Sequence, residues 1–156
     1  MLRINRLTDY SVLLLCHLSK GWTESETKSL SASELASLSG LPQTTVSKLL
    51  KSLAGHHLLE SSRGTQGGYT LIKDPANISL LHVLEILEGP VALTDCVSGD
   101  EKNICELQGN CLSQNPWKYI NEKIKKTLAA LSLADLYNSS VIPCYLEQKI
   151  PQENSI

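Results

Sequence analysis

Two short helical patterns separated by a glycine, followed at once by a glycine-rich hairpin, leave this chain few folds to choose from. Ser31-Ala-Ser-Glu34 reads as a capping box, in which a hydroxyl and a carboxylate satisfy the free N–H groups at a helix start. That helix runs over Ala32 to Ser39, and Gly40 supplies a left-handed stop. Leu41-Pro42 starts the next turn, and from Thr44 to Gly55 the residues Val46, Leu49, Leu50 and Leu53 fall on one face. Thr44, Thr45, Ser47, Lys48 and Lys51 project elsewhere. From Leu58 to Leu71 the chain alternates into two short strands around a Gly-rich tip. Two helices and a tight turn alone could be any helical hairpin in a core. The hairpin that follows makes the unit a winged helix-turn-helix, whose second helix sets its N-terminal polar residues against base edges. Arg63 near the tip is placed to reach a minor groove, and Tyr69 is expected to pack the wing. The tip is not a phosphate loop, because no Gly-Lys-Ser/Thr follows and no helix opens there.

A second feature is the segment from Cys96 to Cys111, CVSGDEKNICELQGNC, in which three cysteines lie in a polar loop between apolar helical patterns. The separations suit thiolates folding onto one centre, and they do not match a zinc knuckle. Iron-sulfur clusters are held by thiolates, and an incomplete cysteine set recruits another donor. Three surface thiols, or a disulfide and one spare, are the alternative reading of the spacing. His82 is a possible fourth donor, although a lone His on an amphipathic helix is usually a packing or surface residue.

Around these features the chain reads as mainly helical. A first helix from Asn5 to Ser19 carries a consecutive apolar run, Val12 to Cys16, as a dimer-interface helix does. Asp9 lies at its start, where the macrodipole favours a carboxylate, and Cys16 reads as a packing residue. A polar connector is expected over 21–30. Asp74-Pro75 closes the DNA-binding unit, and Ser79 caps a helix from Leu80 to Glu88 that ends at Gly89-Pro90. Asn115-Pro116 starts a longer helix with Trp117, Ile120, Ile124, Leu128 and Leu131 in a narrow seam, suited to pairing across a two-fold axis. Packing on the protomer's own core is the competing use of that seam. Ser132-Leu-Ala-Asp135 caps a last short helix through Tyr137. The expected fold class is mainly α with a small β-wing, a winged helix-turn-helix plus a long C-terminal dimerisation helix. Its parts are a DNA-binding domain at 1–73, a linker helix, cysteine loop and dimerisation helix at 74–137, and a flexible tail at 138–156 that contains Cys144.

Composition excludes several classes. In 156 residues with 42% apolar content there is a core's worth of hydrophobics, and no apolar run nears the roughly 20 residues of a spanning helix. Five cysteines and no small-residue cleavage site near the N-terminus argue against a secreted disulfide framework, so a cytoplasmic location is expected, without membrane contact. Residues 1–73 hold eight Lys and Arg against five Asp and Glu, and residues 74–156 hold six against eleven. The excess of positive charge thus falls on the half expected to meet nucleic acid. No paired Cys-His motif or phosphate loop supports an enzyme, and no small-molecule substrate is expected. A zinc- or redox-stabilised interaction module is the reading from a different class.

The runs TDYSVLLLCHLS and SASELASLSGLPQTTVSKLLKSLAGHHLLESSRGTQGGYTL, the cysteine loop and the helix at Trp117 together resemble the bacterial Rrf-two family of winged-helix regulators. The resemblance spans residues 1–137, and the phrases LTDCVSGDEKNICELQGNCLSQNPW and EGPVAL look most like the branch that regulates SUF iron-sulfur assembly genes. It implies a homodimeric repressor of those genes on a double-stranded DNA operator, with a 2Fe-2S or 4Fe-4S cluster held by Cys96, Cys105 and Cys111. In the iron-sulfur-sensing pattern a His follows the last cysteine by three residues, but here Gln114 stands there. The nitric-oxide-sensing pattern uses an acidic residue early in the first helix, donated by the partner subunit, and the matching position is Asp9. For DNA contact the matching positions are Thr44, Thr45, Ser47, Lys48 and Arg63, with Lys51 on a phosphate. Ser47 and Lys48 replace Glu and Gln of the iron-sulfur regulators, which implies a different operator preference.

Overall fold

The computed structural model describes residues 4–25, 29–64, 67–98, 105 and 110–138. The tail expected to be flexible lies outside these residues except for Asn138, as do Cys144, the wing tip at 65–66 and most of the loop between Ser98 and Asn110. Seven helices and one hairpin make up the described part: α1 (Arg6–Ser25), α2 (Ala32–Ser39), α3 (Gln43–Gly55), β1 (Leu59–Ser62), β2 (Gly68–Leu71), α4 (Leu80–Glu88), α5 (Asp95–Ser98), α6 (Gln114–Ala130) and α7 (Leu133–Tyr137). A single 3-10 turn, Pro75–Asn77, links the wing to α4.

Helix α1 is the central strut. Asn5 caps it, its Oδ1 accepting from the Leu7 N–H at 3.0 Å, while the Asn5 N–H donates to Glu88 at the end of α4 at 2.8 Å. Leu14, Leu15 and Leu18 are wholly or almost wholly buried, whereas Leu13 stays partly exposed. The helix continues past Ser19 to Ser25 rather than giving way to a connector at Gly21. Gly21 is buried inside it, and Trp22 packs on the core one residue later. That burial offsets the roughly 1 kcal/mol that a helical Gly costs.

The helix-turn-helix follows the capping logic of its sequence. Ser31 accepts from the Glu34 N–H at 3.2 Å and the Glu34 carboxylate accepts from the Ser31 N–H at 2.8 Å. Gly40 turns left-handed at φ 70°. Val46, Leu49, Leu50 and Leu53 turn inward from α3. The stop of α3 is less obvious from sequence. Gly55 remains helical, and His57 takes the left-handed position at φ 58°, with Leu58 N–H donating to Leu53 C=O and His57 N–H to Ala54 C=O. This is a Schellman arrangement, in which glycine is the ordinary occupant. His57→Gly is therefore expected to raise stability by about 0.5–1 kcal/mol, read as a shift in urea midpoint. No change would show that His57 is held by something other than this turn.

The wing is antiparallel, with Leu59 paired to Leu71 and Ser62 to Gly68. A third segment joins it at one bridge, since Leu30 and Tyr69 exchange both backbone hydrogen bonds, at 3.1 and 2.9 Å. Tyr69 is half-buried against the core.

The core is continuous across the expected boundary at residues 73 and 74. Ile78, Val83 and Leu133 join Leu14, Leu15, Leu35 and Leu50 in one cluster, because α7 returns to pack on α1. Ser79 and Ser132 cap α4 and α7, and the backbones meet there: Leu80 N–H donates to Leu131 C=O at 2.7 Å and Leu133 N–H to Ile78 C=O at 2.9 Å. Helix α6 starts at Gln114 behind Ser113, not behind Asn115, and makes no side-chain cap hydrogen bond. Pro116 thus sits at its third residue, still within the turn where no N–H partner is needed. The helix stops at Ala130, so Leu131 is its buried C-cap and not part of the helical seam.

Candidate nucleic-acid interface and cysteine loop

Helix α3 turns a polar row outward because its apolar residues are taken by the core. Thr44, Lys48 and Lys51 are exposed at spacings of four and three, and Thr45 and Ser47 are half-buried beside them. The helix has no acidic residue in its first turn, and its N-cap, Pro42, offers no side-chain acceptor to the first N–H groups. Such an end favours anions. The helix packs against β1, and Arg63, exposed, leaves the end of that strand toward the wing tip. Helix face and wing arginine thus belong to one framework, chemically suited to phosphates and base edges.

The cysteine loop opens differently from its sequence reading. Asp95–Ser98 forms a short helix, α5, so Cys96 lies on helix rather than loop. The Thr94 hydroxyl and the Cys96 thiol are 3.2 Å apart, and the Cys111 thiol is 3.2 Å from the Ser113 hydroxyl. Cys16, Cys96, Cys105 and Cys111 are free, half-buried thiols. Among the described residues no three His, Cys, Asp or Glu side chains are gathered to hold a metal ion. Asp9 is exposed in the first turn of α1 and His82 is exposed on α4. The donor set fits a thiolate-held cluster in kind, with three free thiols in one segment.

The thiols differ in acidity. Hydrogen bonds from the Ser113 side chain and backbone hold the Cys111 thiol below its ordinary value, whereas burial pushes Cys16 up. The thiolate is the reacting form. In metal-free protein, Cys111 should react with iodoacetamide severalfold faster than Cys16, and its rate should begin to rise at lower pH. Peptide mass spectrometry over about pH 7 to 9 checks this, and equal rates throughout would contradict it.

Helix α6 buries only part of its apolar seam. Ile124 and Leu128 face a hollow of about 280 Å³ shared with Ile4, Leu84 and Val91, and the Lys125–Glu85 ion pair at 3.0 Å ties α6 to α4. Trp117 and Ile120 are 40% and 42% exposed, so this part of the seam stays uncovered. The residue that sequence reasoning passed over is Asn121, four positions after Trp117, and the buried side chain of α6. Its signal was a polar residue between apolar ones on the inward stripe.

The profile of the family described as Rrf2, iron-dependent transcriptional regulator, matches residues 4–139. The HTH-type transcriptional repressor NsrR of Streptomyces coelicolor is 28% identical over 145 residues, covering 93% of this chain and 95% of that protein. The HTH-type transcriptional regulator CymR of Bacillus subtilis is 26% identical over 135 residues, 86% and 89% of the two chains. IscR of Klebsiella pneumoniae is 27% identical over 118 residues, 76% and 71%. In fold, the structure of the B. subtilis cysteine regulator CymR superposes with a TM-score of 0.70 at 24% identity, covering 89% of this chain and 98% of that one. T. potens IscR gives 0.66 at 22%, covering 97% and 93%. These relatives are regulators and not enzymes, and among the described residues no helix is long and apolar enough to cross a membrane. With a mainly helical frame, a two-stranded wing and a profile match over most of its length, the chain belongs to the Rrf2 family of transcriptional regulators.

Proposed function

We propose that this protein is a homodimeric, iron-sulfur-dependent DNA-binding repressor of iron-sulfur assembly (SUF) genes. The observation that carries the DNA reading is the exposed row Thr44, Lys48 and Lys51 on α3, braced against the strand that Arg63 follows. Lys51 takes a phosphate, Thr44, Thr45, Ser47 and Lys48 meet base edges, and Arg63 enters the adjoining minor groove. A second copy covers the apolar surface left at Ile4, Leu7, Trp117 and Ile120, which sets two α3 helices on half-sites about 34–36 Å apart.

Cys96, Cys105 and Cys111 would hold the cluster, with Asp9 of one protomer completing the set in its partner. A bound cluster supplies an iron-sulfide centre sensitive to oxidants and nitric oxide. The chain does the rest: α6 carries the dimer contact on one side and the base of the cysteine loop on the other, so the loop's arrangement sets the angle between subunits. A ~100-fold difference in operator affinity needs a coupling of ~2.7 kcal/mol. Gln114 in place of a His, and the long match to a repressor named NsrR, favour nitric-oxide sensing as the second reading.

The test is an anaerobic visible spectrum with iron and acid-labile sulfide counted per chain, on wild type and Cys105→Ala. Colour and sulfide lost in the variant support the cluster. Colourless wild type that cannot be reconstituted, or that carries zinc without sulfide, removes it. Equal operator binding with and without the cluster removes the coupling.

A further inference from the structure

We infer that Asn121 is a positioning residue for the cysteine loop, a latch on α6 that holds the strand of chain leading to Cys96; the inference rests on the proposed function. Asn121 is 3% exposed, on the inward stripe with Ile124 and Leu128. Its Oδ1 accepts from the Leu93 N–H at 3.1 Å and its Nδ2 donates to the Val91 C=O at 3.3 Å, across 28 and 30 residues of sequence. The buried serines behave differently, since Ser11 and Ser19 bond to carbonyls four residues back on their own helix. A buried amide that were mere filling would cost stability against Leu. Asn121 instead satisfies one N–H and one C=O of a segment that has no sheet or helix of its own. From Leu93 the path is short: Thr94 accepts from the Val97 N–H at 3.1 Å, and its hydroxyl lies 3.2 Å from the Cys96 thiol.

The position on α6 matters as much as the bonds. Ile120, next to Asn121, is exposed on the surface assigned to the second copy. A shift of Val91 to Leu93 therefore pulls on the helix turn that carries the dimer contact, and the dimer contact in turn fixes where Cys96 begins.

The test uses the full chain with Asn121→Ala. In metal-free protein, amide hydrogen exchange over residues 91–98 should rise about tenfold, the factor corresponding to 1.4 kcal/mol, with α1 to α3 unchanged. After reconstitution with iron and sulfide, loss of the visible absorbance to a chelator should be about tenfold faster, again roughly 1.4 kcal/mol, and the ratio of loaded to metal-free operator affinity should fall toward one. Unchanged exchange over 91–98, or a rise spread equally through α1 to α3, overturns the latch. Should the variant not fold, wild type decides: slower exchange at Leu93 than at Ala92 supports it, and equal exchange overturns it. A wild type that takes up no iron and sulfide sinks the cluster reading and leaves the metal-free exchange to judge the latch by itself.

Discussion

Gly68→Ala is expected to lower the unfolding free energy by about 2–3 kcal/mol, at the upper end of the cost of forcing atoms into a packed site. The reason is contact rather than backbone strain. A Cβ at Gly68 would stand 2.5 Å from the Ser29 hydroxyl oxygen and 2.7 Å from both the carbonyl carbon and oxygen of Leu30. The hydroxyl can turn away, but the Leu30 carbonyl cannot, because it accepts from the Tyr69 N–H. Relief requires the 29–30 segment to leave the wing, breaking both Leu30–Tyr69 bonds. Urea titration of wild type and variant reads the loss, and a change below about 0.5 kcal/mol would mean that the 29–30 segment moves freely. Gly55→Ala is the control, since nothing lies within 4 Å of its Cβ position.

Arg63→Ala should reduce operator affinity by about 10–100-fold, corresponding to roughly 1–3 kcal/mol for a groove contact, while leaving the urea midpoint unchanged because Arg63 is exposed. Lys51→Ala should weaken binding similarly for all sequences and reduce the salt slope by about one. Fluorescence anisotropy on operator and scrambled duplexes at several salt concentrations separates the two. A wing arginine whose loss changes both duplexes equally would be a phosphate contact instead, and one whose loss changes neither would take the wing out of recognition.

Much of the fold was legible because local chemistry determined it. Ser31 with Glu34 and Ser132 with Asp135 form reciprocal caps that need no tertiary partner to be recognised, and Gly40 stands where the left-handed turn is needed. The sequence misled where packing outweighed local preference. Gly21 continues a helix because Trp22 anchors the next turn, and His57 bends the chain while Gly55, the better candidate by residue type, stays helical. The start of α6 was misplaced because Pro116 suits the first helical position behind an Asn cap, whereas the helix begins two residues earlier behind Ser113, which makes no cap bond at all. The candidate site was legible as residue types: thiols, a carboxylate, a row of lysines and threonines. What holds them was not. The role of Asn121 depends on contacts 28 and 30 residues away, which no periodicity reports.

The stitch between Ser79 and Ser132 has a consequence for how such chains can diverge. The polypeptide departs from the helix-turn-helix core at Ile78 and re-enters it at Leu133, and the two points are bonded to each other. Apart from α4, whose Val83 stays in the core, what lies between is an excursion whose ends are already joined. Where the ends of a stretch are bonded in this way, added length between them carries a closure cost that grows by about 0.6 kcal/mol for each doubling. The number and spacing of cysteines can therefore be rewritten by insertion and deletion while the reading head stays as it is, so that one DNA-binding frame can be refitted to different chemical signals.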